Sequence, residues 1–372
     1  MKDLNWLIKL TIIAAMLLGL PPLGILAAGR PIGPYLQFPP KTLHIQQAPF
    51  SWFVFFLLSA FLLSVICPFV VRGLRPRRKP ERRERPLHPL PLWGWAGLAL
   101  GILAWVTAWT RLPLFSALQP HTFTPIWYGY ILFVSSLAFR KTGRCMLMNQ
   151  PRPFLLLFPG SALFWWFFEF LNRFVHNWYY VGKEFGPWEY FWYATLPFST
   201  VLPAVLSTRE LILASSWLRG RFSPFLPLKL PRPPQAAIII MLLAGLGLAM
   251  IGIYPDYLFP LLWVSPFLII LSLQVLFGDQ NVFSLVPKGD WTFIVSSALA
   301  ALICGFFWEM WNFYSFAKWK YTIPFVQRFH VFEMPLLGYA GYLPFGLECA
   351  AVAQLLFPSL GSSRDTSQGI VE

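Results

Sequence analysis

Apolar runs of about twenty residues recur along this chain, and they constrain its fold more than any single motif does. "SWFVFFLLSAFLLSVICPFVV" at 51–71 contains no charged side chain. About twenty residues of helix cross the roughly 30 Å hydrocarbon core of a bilayer. Only 12% of the residues are charged and 57% are apolar, whereas an ordinary soluble domain carries about 25% charge. The sequence therefore predicts an all-α, polytopic integral membrane protein. A hydropathy reading places ten spans near 5–28, 49–71, 91–110, 122–139, 153–172, 189–209, 235–253, 258–277, 291–311 and 333–357.

The net charge of +14 suggests nucleic acid only if a soluble domain presents a basic stripe, and the sequence has no such domain. Loop asymmetry explains the charge instead. "RGLRPRRKPERRERP" at 72–86 carries eight Lys/Arg and is expected to face the cytoplasm. With ten spans, both termini are then cytoplasmic, and 20 of the 29 Lys/Arg fall on that side against eight outside. The distribution fits a bacterial-type inner or plasma membrane. The same loop can also attract anionic lipid headgroups. The first span, with "LAAG" at 26–29, shares features with a secretory signal. Its length and the interruption at Lys9 favour a retained helix. The four cysteines form no paired motif, so neither a disulfide framework nor a metal site is expected.

A second constraint is self-similarity. "FWWFFEFLNRF" at 164–174 and "FFWEMWNFY" at 306–314 place Glu169 and Asn172 each 140 positions before Glu309 and Asn312. Each pair is followed by a Trp-x-Tyr, Trp178/Tyr180 in one copy and Trp319/Tyr321 in the other. Glu189 and Glu333 then begin the next spans, and an "LPF" triplet recurs at 196–198 and 343–345. The expected organisation is two N-terminal spans with the basic loop (1–90), a four-helix unit (91–218), a Pro-rich linker (219–234), a second four-helix unit (235–357) and a polar tail (358–372). An even number of spans per unit makes this a parallel tandem duplication. "LPFSTVLP" at 196–203 and "LGYAGYLPFG" at 337–346 suggest broken sixth and tenth spans, and broken spans in corresponding positions point to a binding site.

Polar residues inside such a bundle are the candidate chemistry. Glu169, Glu309 and Glu348 are the acid/base candidates, and Glu348 has no acidic counterpart in the first unit. A helix continuous from Glu333 would carry it about 22 Å inward. Asn172, Asn312, Glu189, Glu333, Trp165, Trp166, Trp308, Trp311, Trp178, Tyr180, Trp319 and Tyr321 are the substrate-binding candidates, expected to converge near the outer leaflet. Each also has a plain structural role open to it: interfacial anchor, helix cap or helix–helix tie. Three functions fit. One is an enzyme doing acid/base chemistry on an amphiphilic, isoprenoid- or lipid-like substrate, with aromatic faces able to stabilise a cation. Another is a secondary transporter of a small or amphiphilic solute with Glu348 as its coupling acid. The last is a structural or assembly role. No P-loop, GxGxxG or HExxH motif occurs, so no cofactor is implied. Oligomeric state stays open.

Overall fold

In the computed structural model, residues 2–40, 44–75 and 87–357 are described. The greater part of the basic loop and the 358–372 tail lie outside the described residues. The chain is 71% helical with almost no sheet. The principal helices are α1 (Lys2–Ala27), α2 (Trp52–Leu74), α3 (Leu92–Trp109), α4 (Phe123–Thr142) and α5 (Pro151–Val175). They continue with α6 (Pro187–Phe198), α7 (Val201–Leu213), α8 (Pro233–Met250), α9 (Pro260–Leu276), α10 (Thr292–Phe313) and α11 (Tyr342–Leu356).

Helices cover all ten apolar stretches, and among the described residues 8 candidate spans are long and apolar enough to cross a membrane. Two of the ten fall short of that description. α9 is apolar but has only 17 residues. α4 is diluted by Ser135 and Ser136 and ends on Arg140 and Lys141.

Hydrogen bonds between loops sort into two sets, one at each end of the bundle. At one end Ser51 N–H donates to Phe325 O, Gln47 to Val175 O, Arg30 to Gly252 O and Arg173 to Tyr35 O. At the other, Trp6 donates to Leu355 O, Arg72 to Pro224 O and Trp291 to Leu226 O.

Close packing between helices depends on small residues, as expected where lipid supplies no hydrophobic drive for association. Gly97 and Gly101 of α3 receive Gly129 of α4 with their backbones in contact. α1 and α8 run side by side, with Gly24 set against the Ala249 carbonyl. Lys9 is only 7% exposed and pairs with Asp279 beyond α9. The lysine that interrupts the first apolar run is thus the partner of a carboxylate, and α1 is packed into the core through Leu17 and Ile25.

The sixth apolar stretch is broken, as its prolines predict. α6 stops at Phe198 and α7 starts at Val201. The freed backbone groups meet partners inside the protein. Ser161 Oγ of α5 donates to Phe198 O at 2.6 Å and accepts from Leu202 N–H at 3.0 Å. Thr200 Oγ1 donates to Pro197 O at 2.6 Å. The last span enters through a 3₁₀ stretch, Leu336–Gly341, before α11. Ser161→Ala is expected to lower stability by about 1–3 kcal/mol, because a buried donor and acceptor lose one shared partner. Thermal unfolding in detergent measures this, and an unchanged midpoint would show that water or another group already serves the break.

Candidate functional site

The site begins where α5 and α10 end. The chain that leaves a helix C-terminus carries backbone groups that need partners, and after both α5 and α10 an asparagine of the last turn supplies them. Asn172 Nδ2 donates to Trp178 O at 2.9 Å, while its Oδ1 accepts from Asn177 N–H at 2.8 Å. Asn312 Nδ2 donates to Trp319 O at 2.8 Å, and its Oδ1 accepts from Trp319 N–H at 2.9 Å. Both side chains are 0% exposed. The asparagines therefore latch the following segment across the helix end and do not orient the glutamates.

The latched segments are β1 (Trp178–Val181) and β2 (Lys318–Tyr321), which pair antiparallel. Trp178 lies opposite Tyr321, and Tyr180 lies opposite Trp319. Exchanging the two Trp-x-Tyr segments maps this register onto itself, so a local two-fold axis passes through the ladder. A second short pair, β3 (His330–Val331) with β4 (Met334–Pro335), follows on the same side.

The strands deliver phenol and indole donors to the two carboxylates. Glu169 Oε1 accepts from Tyr180 Oη, from Trp178 Nε1 at 3.1 Å and from Trp165 Nε1 at 3.3 Å. Glu309 Oε1 accepts from Tyr321 Oη and Tyr342 Oη, both at 2.7 Å. Trp319 Nε1 donates to the Tyr321 hydroxyl at 2.8 Å instead. Burial first, and then the adjacent carboxylate, hold the Tyr180 and Tyr321 hydroxyls well above the ordinary value of 10. Both phenols are consequently O–H donors at any physiological pH.

One exchange between the copies went unread in the sequence. Trp165 stands four residues before Glu169, and the matching position before Glu309 is Gly305. A side chain at Gly305 would meet the ring of Tyr342. The glycine thus admits a tyrosine from α11 in place of the missing indole. A lone glycine in the bulky run "CGFFW" was the available signal.

Both carboxylates are 0% exposed, and in each the second oxygen, Oε2, has no hydrogen-bond partner among the described residues. Aromatic rings fill the space between them. Phe345 lies 6.0 Å from Trp165 and 6.2 Å from Trp308. Trp263 of α9 sits 5.3 Å from Phe168 on α5, and Trp127 of α4 sits 5.1 Å from both Trp308 and Trp311 on α10. The helix before α5 thus packs its indole on α10, and the helix before α10 packs its indole on α5.

Other candidates fall outside this core. Trp166 turns its indole to Thr195 Oγ1 at 3.1 Å. Glu189 is exposed and accepts from Gly186 N–H at 3.3 Å, capping the start of α6. Glu333 forms an ion pair with Lys318. Glu348 is 0% exposed in α11, and both its oxygens lack partners among the described residues. Among those residues no three His, Cys, Asp or Glu side chains come together as a metal site would require.

A carboxyl with one oxygen held by several donors and the other left open has a fixed orientation and a free position for a proton. The latch below it is separable from that chemistry. Asn172→Ala and Asn312→Ala are each expected to cost at least about 2 kcal/mol, since two or three backbone groups lose partners at about 1–3 kcal/mol apiece. Amide exchange over 177–181 and 318–321 should quicken, and unchanged protection there would contradict the latch. Comparison with known proteins identifies no relative: no family model, curated protein or solved structure matches the chain.

Proposed function

We propose that this multi-pass membrane protein is an enzyme doing acid/base chemistry on an amphiphilic, isoprenoid- or lipid-like substrate. Its site lies between two parallel four-helix units near the outer leaflet. The observation that carries the reading is the unpartnered Oε2 of Glu169 and of Glu309. Buried polar atoms are almost always satisfied, and a glutamate serving only as a tie would leave no oxygen bare. Glu309 and Glu169 act as acid and base. Their tyrosine and tryptophan donors hold them in place, and the rings around Phe345, Trp165 and Trp308 form a wall suited to a hydrocarbon or a passing cation.

The architecture we infer has ten crossings, two N-terminal helices and a tandem duplication of four, with both termini cytoplasmic in a bacterial-type membrane. The repeated asparagine latch, the two-fold register of β1 and β2, and the sorting of loops to two ends support it. The basic loop following α2 supports the orientation.

Glu348 favours a second reading. A carboxyl with neither oxygen partnered, deep in an apolar helix, suits a coupling acid in a secondary transporter. Uptake by proteoliposomes that responds to a pH gradient and disappears in Glu348→Gln would select it over the enzyme.

Glu169→Gln and Glu309→Gln keep the shape and most acceptor capacity while removing the proton-transfer group. In cells expressing variants that extract and run as the wild type does, each is expected to reduce conversion at least 100-fold. The measurement is the lipid profile of cells with and without the chain. A wild-type profile from both variants would end the enzyme reading.

A further inference from the structure

α2 differs from every other long helix in how little of it is covered. None of its apolar window is buried, and Gly73 is its only buried residue. Its attachments gather at the two ends. At one end Ser51 N–H donates to Phe325 O at 2.9 Å, and Val54 packs against Ile323 and Met334. At the other, Phe69 lies 5.2 Å from Trp291, and Arg72 donates to Pro224 O at 2.7 Å.

Between these pins the side of α2 turned to the body is a heptad-like stripe, Phe55, Ser59, Leu62, Ile66 and Phe69, all only half-buried. α10 reaches both pins. Val295 and Leu299 pack at the Phe69 pin, and Phe306 meets Phe332, from the loop behind the other pin, at 5.6 Å. Leu302, on the same stripe, stays half-buried, and Phe306 is 45% exposed. Glu309 follows Leu302 by seven residues, about 10 Å along the same face. The result is an apolar seam, pinned above and below, open along its middle and rising toward Glu309.

A cation sits at the upper end of this seam. Arg328 is exposed and has no carboxylate partner among the described residues. Its guanidinium lies over Phe50, Trp52 and Phe329 at 5.0, 5.4 and 5.9 Å. Three aromatic residues of its loop, Phe325, Phe329 and Phe332, take left-handed backbone angles of 64°, 55° and 58°. Bulky side chains rarely adopt that conformation unless the surroundings impose it. A guanidinium matches a phosphate with paired N–H donors, and the rings around it suit the headgroup boundary.

We infer that the seam between α2 and α10 holds one anionic phospholipid, its net-negative headgroup on Arg328 and its hydrocarbon chain against Leu302 and Phe306. This deepens the enzyme reading, on which it rests, by naming the class of substrate and its lateral route from the leaflet at that end. The chain enters from the side because the open middle of the seam faces hydrocarbon, and the headgroup stays where Arg328 meets water.

The test uses the full-length protein in nanodiscs of equal dioleoylphosphatidylglycerol and dioleoylphosphatidylcholine, with retained lipid counted by native mass spectrometry. Wild type is expected to retain phosphatidylglycerol about fivefold over phosphatidylcholine, as one arginine near a membrane surface contributes about 1 kcal/mol. Arg328→Gln should bring the ratio near one. Lys183→Gln, which removes an exposed charge at the same end, should leave it unchanged. Ser59→Trp and Leu302→Trp fill the seam from opposite walls, and each should lower total retained lipid. No preference in the wild type, a preference surviving Arg328→Gln, or full retention in both tryptophan variants would overturn the proposal. Glu309→Gln separates the two ideas. If it binds lipid as the wild type does and still converts substrate, only the enzyme reading fails. If it stops conversion while the wild type shows no lipid preference, only the seam fails.

Discussion

Where α5 and α10 end, the departing chain must fold back without stranding its own backbone groups in an apolar interior, and a single amide side chain prevents this at each helix end. Asn172 and Asn312 each grip the backbone of the segment that follows, donating with Nδ2 and accepting with Oδ1. An amide carries its donors and its acceptor on two separate atoms, so one side chain can hold an N–H and a C=O of the same segment at once, whereas an ionised carboxylate has no donor. That grip carries Trp178/Tyr180 and Trp319/Tyr321 back over the helices. The paired strands then join the two halves at one ladder. Without the grip the tyrosines would have no fixed approach to the glutamates.

The glutamates use what the latch provides, and they do so unequally. Glu169 draws its donors from its own strand and its own helix, whereas Glu309 recruits Tyr342 from α11 across Gly305. The second carboxylate is thereby hydrogen-bonded to the final span, whereas the first meets that span only through ring contacts. In α11, Phe345 stands in the aromatic wall between the sites and Glu348 lies one turn further along. The final span accordingly bears on both carboxylates and on the unpartnered acid.

Much of the fold was legible because hydrophobic length and helix geometry leave few alternatives. The apolar stretches are helices, the sixth breaks between Pro197 and Pro203, and each glutamate of a Glu-x-x-Asn accepts from the tyrosine of the Trp-x-Tyr that follows it. The role of the asparagines was not legible. A spacing of three places Asn on the face of Glu, which suggests a partnership between them, while the stronger demand comes from backbone groups at the helix end. Glu189 likewise meets the local need of a helix start. Ser161 gave no sign of closing a break some forty residues away.

From sequence alone one could read that this chain lives in a membrane, that it is helical, and that two similar segments carry acids among aromatics. Those properties follow from composition and from periods of a few residues, which any fold of the chain inherits. Only the tertiary structure decided that the two Trp-x-Tyr segments pair with each other, that Tyr342 replaces Trp165 over Gly305, and that α2 stands off the body with its middle uncovered. Each of these depends on contacts between residues far apart in the chain. Such contacts are set by which helices can approach closely and which buried polar atoms must then find partners, and no local pattern encodes either.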